Sequence, residues 1–106
     1  MSKVVAVGEK DLIIGFKAVG VEIVPVKSPS EVEVVLKRLS QDASVGLILI
    51  TETIAEGCLD VISSFREGSP AVILIVPSHL PTKHISMLEM KRNIEKAVGI
   101  DMLTKS

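Results

Sequence analysis

Residues able to do chemistry are few in this chain, and they gather in three places. Glu9 and Asp11 follow a run of small aliphatic residues, "KVVAVG". Thr51, Glu52, Thr53 and Glu56 follow another, "VGLILI". His79 and His84 stand five apart with Pro81 between them, and Cys58 is the single cysteine. A carboxylate just beyond a buried strand is a common position for a catalytic or metal-binding group in α/β proteins, so Glu52 is weighed first. Its neighbours point to a plainer role. Thr53 and Glu56 have the spacing of a capping box, Thr51 or Thr53 can accept backbone N–H bonds, and a first-turn carboxylate complements the helix dipole. Starting a helix accounts for every polar residue of "TETIAE".

Other chemistries lack their parts. After the first apolar run the sequence reads Gly8-Glu9-Lys10-Asp11, neither G-x-G-x-x-G nor G-x-x-x-x-G-K-[ST], so no backbone cradle for a pyrophosphate is present. Gly15 is expected as a small contact where a helix crosses the sheet. A phospho-acceptor receiver could use Glu9 and Asp11 as its first acidic pair. It would also need an Asp ending the third strand, where Thr51-Glu52 stands, and a fifth strand with its Lys. A metal site needs three or four ligands in fixed geometry. His79 and His84 do not supply them, and Cys58, on the apolar side of its helix, is expected as a small core residue. No catalytic residue, cofactor site or metal site is expected.

The totals narrow the classes further. One hundred and six residues suit a single small domain with one core. Phe16 and Phe65 are the only aromatic side chains, which argues against base stacking on single-stranded nucleic acid. A net charge of −1 gives no bulk attraction to nucleic acid or anionic lipid. A lone cysteine fits a reducing compartment. No signal-peptide pattern and no apolar run of about 20 residues is visible. The expectation is a soluble, cytosolic protein.

The elements that must position these residues alternate along the chain. Lys3–Gly8 reads as a buried strand. Asp11 is expected to cap a helix over Leu12–Val19, stopped by Gly20. Val21–Val26 is a second strand, placed at an edge because Pro25 has no N–H for the ladder. Ser28, Pro29 and Glu31 read as cap, first helical residue and capping box of a helix carrying Val32, Val35, Leu36 and Leu39. Val45–Ile50 is a strand apolar on both faces. Ile54, Cys58, Val61, Ile62 and Phe65 mark one further helix. "AVILIV" is the fourth strand, ending at Pro77. Strand–helix alternation predicts an α/β fold: a small, Rossmann-like or receiver-like, four-stranded parallel sheet with helices on both sides, plus a C-terminal helix over about 83–98.

"PSHLPT", residues 77–82, is linker-like, and charge changes there. Residues 1–82 hold seven Lys/Arg against ten Asp/Glu, net −3; residues 83–106 hold five against three, net +2. The expected division is a globular domain, 1–78, followed by a linker and helix, 79–106. In that helix Met87, Met90, Ile94 and Ala97 follow the a/d spacing of a coiled coil, and Leu88 and Val98 widen the stripe. Either the helix packs on its own sheet, or it leaves the domain and lies against a helix of another protein.

Four stretches together resemble the F subunit of the archaeal and bacterial V/A-type rotary ATPases: "VVAVGEKDLIIGFKAVG" (4–20), "GLILITETIAE" (46–56), "SPAVILIVPS" (69–78) and "KAVGID" (96–101). Glu9 departs from the Asp more often expected there. The resemblance covers nearly the whole chain. It implies a non-catalytic rotor component of the central stalk, beside the coiled coil of the stalk's D subunit, with Met87, Met90, Ile94, Ala97 and Val98 as candidate partner-binding residues. It places the chain on the cytoplasmic side of a membrane-bound complex that couples ATP hydrolysis or synthesis to H⁺ or Na⁺ transport. A receiver-like or small-ligand-binding regulatory domain is the alternative.

Overall fold

The aliphatic runs form four strands because their side chains alternate into two separate cores. The computed structural model describes residues 3–78 and, beyond them, Glu89, Arg92, Asn93 and Lys96. Strands β1 (Lys3–Gly8), β2 (Glu22–Pro25), β3 (Val45–Thr51) and β4 (Val72–Val76) make one sheet in the order β2-β1-β3-β4. All three pairings are parallel, with Val7 opposite Ile50 and Thr51 opposite Val76. The predicted α/β sheet is therefore present, and Pro25 does lie on an edge strand.

On one face Val5, Val7, Ile48, Ile50 and Ile73 pack under helices α2 (Ser30–Ser40) and α4 (Leu59–Gly68). On the other, Val4, Ala6, Leu47, Leu49 and Val76 pack under α1 (Lys10–Ile13) and the 3-10 helix Ile14–Val19. Two covered faces explain why β1 and β3 are apolar at consecutive positions rather than alternate ones.

Three local expectations are corrected. The helix expected over Leu12–Val19 is instead α1 followed by the 3-10 helix. Ile13, Phe16 and Val19 are its buried residues, and a three-residue interval stacks on one line only at three residues per turn. Asp11 is an exposed first-turn residue. Glu9 takes the N-cap position, where its carbonyl accepts from the N–H groups of Leu12 and Ile13 at 2.9 and 3.1 Å. Gly20 ends the element as expected, in the left-handed region at φ 87°.

The helix expected to carry both Ile54 and Phe65 is two helices, α3 (Glu52–Ala55) and α4. A Cβ at Gly57 would lie 2.4 Å from Pro29 Cγ, so the backbone itself passes against the proline ring and the winding restarts at Leu59. α2 begins at Ser30 with Pro29, not Ser28, at the N-cap position, and only half of the expected capping box forms. The Glu31 carboxylate accepts from the N–H of Ser28 at 3.1 Å and from that of Lys27, whereas the Ser28 hydroxyl pairs with that of Ser30.

Candidate functional site

The chain steps outward from β1 to β2, then returns across β1 to β3 and on to β4. The connections of β1 and β3 leave in opposite directions, and the carboxyl ends of such strands frame the crevice where open α/β sheets bind ligands. Glu9 follows β1 there, Thr51 ends β3, Thr53 lies in α3, and Ser78 follows β4.

These four residues bind one another. Thr51, fully buried, donates its hydroxyl to Glu9 Oε1 at 2.6 Å. Thr53 donates its hydroxyl to Glu9 Oε2. The Thr53 N–H in turn donates to Ser78 Oγ at 3.2 Å. Burial pushes the Glu9 carboxyl up, but the hydrogen bonds from Thr51 and Thr53 and from the backbone outweigh it, and the net direction is downward. Glu9 is thus held as a carboxylate with both oxygens occupied. Gly8 makes this possible: a Cβ there would sit 2.5 Å from both Oγ1 and Cγ2 of Thr51.

Chemically, this crevice is closed on itself. The hydroxyls of Thr51 and Thr53 are both engaged by the Glu9 carboxylate. Among the described residues no three His, Cys, Asp or Glu side chains converge as metal ligands. Where a receiver needs a carboxylate at the end of its third strand, Thr51 supplies a hydroxyl donor instead. Glu52 is exposed in the first turn of α3, as its helix-starting role requires. The capping box of Thr53 with Glu56 does not form, because the Thr53 hydroxyl goes to Glu9 and Ser78 reaches the Thr53 N–H from β4. Sequence reasoning gave Glu9 no role. Its partners lie more than forty residues away, and no short-range pattern registers them.

Cys58 is a core residue as expected: it is buried, its thiol donates to the Ile54 carbonyl at 3.3 Å, and burial pushes its pKa up. Between α2 and α4 runs an open groove of about 540 Å³. Leu36, Val61 and Phe65 line it, and on its rim Glu33 and Lys37 pair with each other at 3.9 Å. Nothing there converges on a ligand.

His79 and His84 lie outside the described residues, as do Met87, Met90, Ile94, Ala97 and Val98. Glu89, Arg92, Asn93 and Lys96 are helical and exposed, and their three- and four-residue spacing puts them on one helix face. No helix among the described residues is long and apolar enough to cross a membrane.

Comparison with known proteins identifies the family. The family described as "ATP synthase (F/14-kDa) subunit" matches residues 4–98. The F subunit of a V-type ATP synthase from Clostridium botulinum is 36% identical over 102 residues, spanning 95% of this chain and 97% of the relative. The protein of the same name in Clostridium perfringens is 35% identical, spanning 95% of each. The F subunit of an A-type ATP synthase from Methanococcus vannielii is 32% identical over 97 residues, spanning 91% of this chain and 94% of the relative. With bacterial and archaeal relatives aligned over almost their whole length, the chain belongs to the family of V/A-type ATP synthase F subunits.

Proposed function

We propose that this chain is a non-catalytic rotor subunit of the central stalk of a V/A-type ATPase. In this reading it binds the coiled coil of the stalk's D subunit and helps couple ATP hydrolysis or synthesis to H⁺ or Na⁺ transport, as a peripheral part of the complex on the cytoplasmic side of the membrane. The observation that carries the reading is the near full-length match to relatives named as F subunits. The closed crevice supports it, since Glu9 meets its own hydroxyl donors and leaves no cradle for a nucleotide.

In this reading the partner contact lies on the C-terminal helix. Glu89, Arg92, Asn93 and Lys96 form an exposed polar face. At 100° per residue, the sequence puts Met87, Met90, Ile94, Ala97 and Val98 on the other side, as an apolar stripe of the kind a partner helix covers. Burying Met87, Met90 and Ile94 would contribute several kcal/mol, at about 1.5–3 kcal/mol each, before ordering costs.

The test is a chain ending at Thr82, compared with the full chain in melting temperature and in affinity for the coiled coil of a D subunit. The truncated chain should fold, because β1–β4 and α1–α4 lie within 3–76, and should bind more weakly. Met90→Asp with Ile94→Asp should reproduce the loss. A truncated chain that unfolds assigns the helix to the domain core, and one that binds as tightly as the full chain moves the interface to the globular domain. Calorimetry with ATP and Mg²⁺ separates the receiver-like or ligand-binding alternative. A micromolar affinity abolished by Glu9→Gln would favour that alternative.

A further inference from the structure

The two edges of the sheet are protected by different means. A free strand edge exposes a row of N–H and C=O groups that can pair with another chain, and proteins blunt such edges with charge and proline. β2 carries its own protection: Pro25 within the strand, and Glu22, which is exposed and bridged to Lys3 at 3.5 Å. Among the described residues β4 is the other terminal strand. Its sequence, Val-Ile-Leu-Ile-Val, has no charge, proline or glycine, and four of its five residues are β-branched. Such a segment at an edge is an aggregation hazard.

What β4 lacks, α4 supplies. Arg66 Nη2 donates to the carbonyl oxygen of Ile73, the second residue of β4, at 3.0 Å. Arg66 is an exposed residue, and no further strand stands beyond β4 among the described residues. Leu59, two turns earlier on the same side of α4, is 57% exposed, and Ile75, on the same face of β4 as Ile73, is 41% exposed. Both are displaced from the Arg66–Ile73 contact towards the carboxyl end of the sheet, because α4 runs antiparallel to the strands it connects. The guanidinium therefore puts a charge at β4 and occupies one of its carbonyl groups.

We infer that Arg66 guards the outer edge of β4 against pairing with β4 of a second copy of this chain. Two identical uncharged strands can meet edge to edge about a twofold axis, each contributing the same residues, and extend the sheet across both copies. A charged guanidinium held at Ile73 would have to be displaced first. The inference concerns β4 alone and does not depend on the stalk reading above.

The experiment compares the full chain with its Arg66→Met variant, which keeps an apolar stem and removes the donors and the charge. Sedimentation velocity over a range of concentrations reads association, and amide exchange of residues 72–76 reads pairing at the edge. The unaltered chain should show no concentration dependence. The Arg66→Met variant should associate as concentration rises and slow exchange within 72–76. Adding Ile75→Lys to it should return the monomer. Gly20→Ala serves as a destabilised control, since it strains a left-handed turn and touches nothing in β4. The inference is overturned if the Arg66→Met variant sediments like the unaltered chain, if association persists in the double variant, if Gly20→Ala associates equally, or if the unaltered chain already pairs through β4.

Discussion

Gly8→Ala should be costly for a reason that lies forty-three residues away. The backbone at Gly8 is in an ordinary negative-φ conformation, so alanine meets no torsional objection. The objection is steric. The new Cβ would stand 2.5 Å from Thr51 Oγ1 and Cγ2 and 3.0 Å from Thr51 Cβ, and Thr51 is fully buried and cannot swing into solvent. Overpacking of this kind costs about 1–3 kcal/mol. If Thr51 turns aside, its hydrogen bond to the Glu9 carboxylate is lost, at about 1.5–3 kcal/mol. Stiffening the unfolded chain returns about 0.4–1 kcal/mol. The net expectation is a loss of about 2–5 kcal/mol, a large share of the roughly 5–15 kcal/mol available to a small domain. Thr51→Ala removes both clashing atoms, so Gly8→Ala placed on that background should cost less than it does alone. Urea denaturation of the two single variants and the double variant, compared at matched m values, gives the coupling. We expect at least about 1 kcal/mol between the two sites. Additivity within about 0.5 kcal/mol would refute the claim that Gly8 exists to admit Thr51.

Acid stability should depend on Asp42, whose Oδ1 accepts from the hydroxyl and N–H of Ser44 at 2.5 and 2.9 Å and whose Oδ2 pairs with Lys3 at 2.9 Å. The Ser44 hydroxyl, then Lys3, hold its pKa at about 2. The unfolded chain then takes up the proton first, at about 3.9, so the contribution is complete above that pH and is lost as pH falls towards 2. Urea midpoints measured across this window should fall for the unaltered chain and fall less for Asp42→Asn; equal slopes would exclude the contact. Glu52→Gln should cost only about 0.3–1 kcal/mol. Ile50→Asp, which buries an unpaired carboxylate between two covered faces, should not fold, and circular dichroism of the two variants checks both expectations.

The strands, their order along the chain and the parallel architecture can be read from the residues alone. Val4–Val7 and Leu47–Ile50 are apolar at every position, which is only stable with both faces covered, and Pro25 places β2 at an edge without any reference to the rest of the molecule. Those signals are local: periodicity, β-branching, a missing N–H. Even so, the 3-10 winding of Ile14–Val19 and the break at Gly57 were not legible. The first depends on which residues must reach the core, and the second on Pro29, which comes from another element. The clasp of Glu9 was wholly a tertiary outcome. "TETIAE" reads as a helix start, and Glu52 is one, but the hydroxyls of Thr51 and Thr53 are claimed by a carboxylate at the end of the neighbouring strand, and the Thr53 N–H by Ser78. A hydrogen-bonding side chain goes to the acceptor that lies within about 3 Å in the fold, and adjacency across a parallel sheet brings together residues that no short stretch of sequence places side by side.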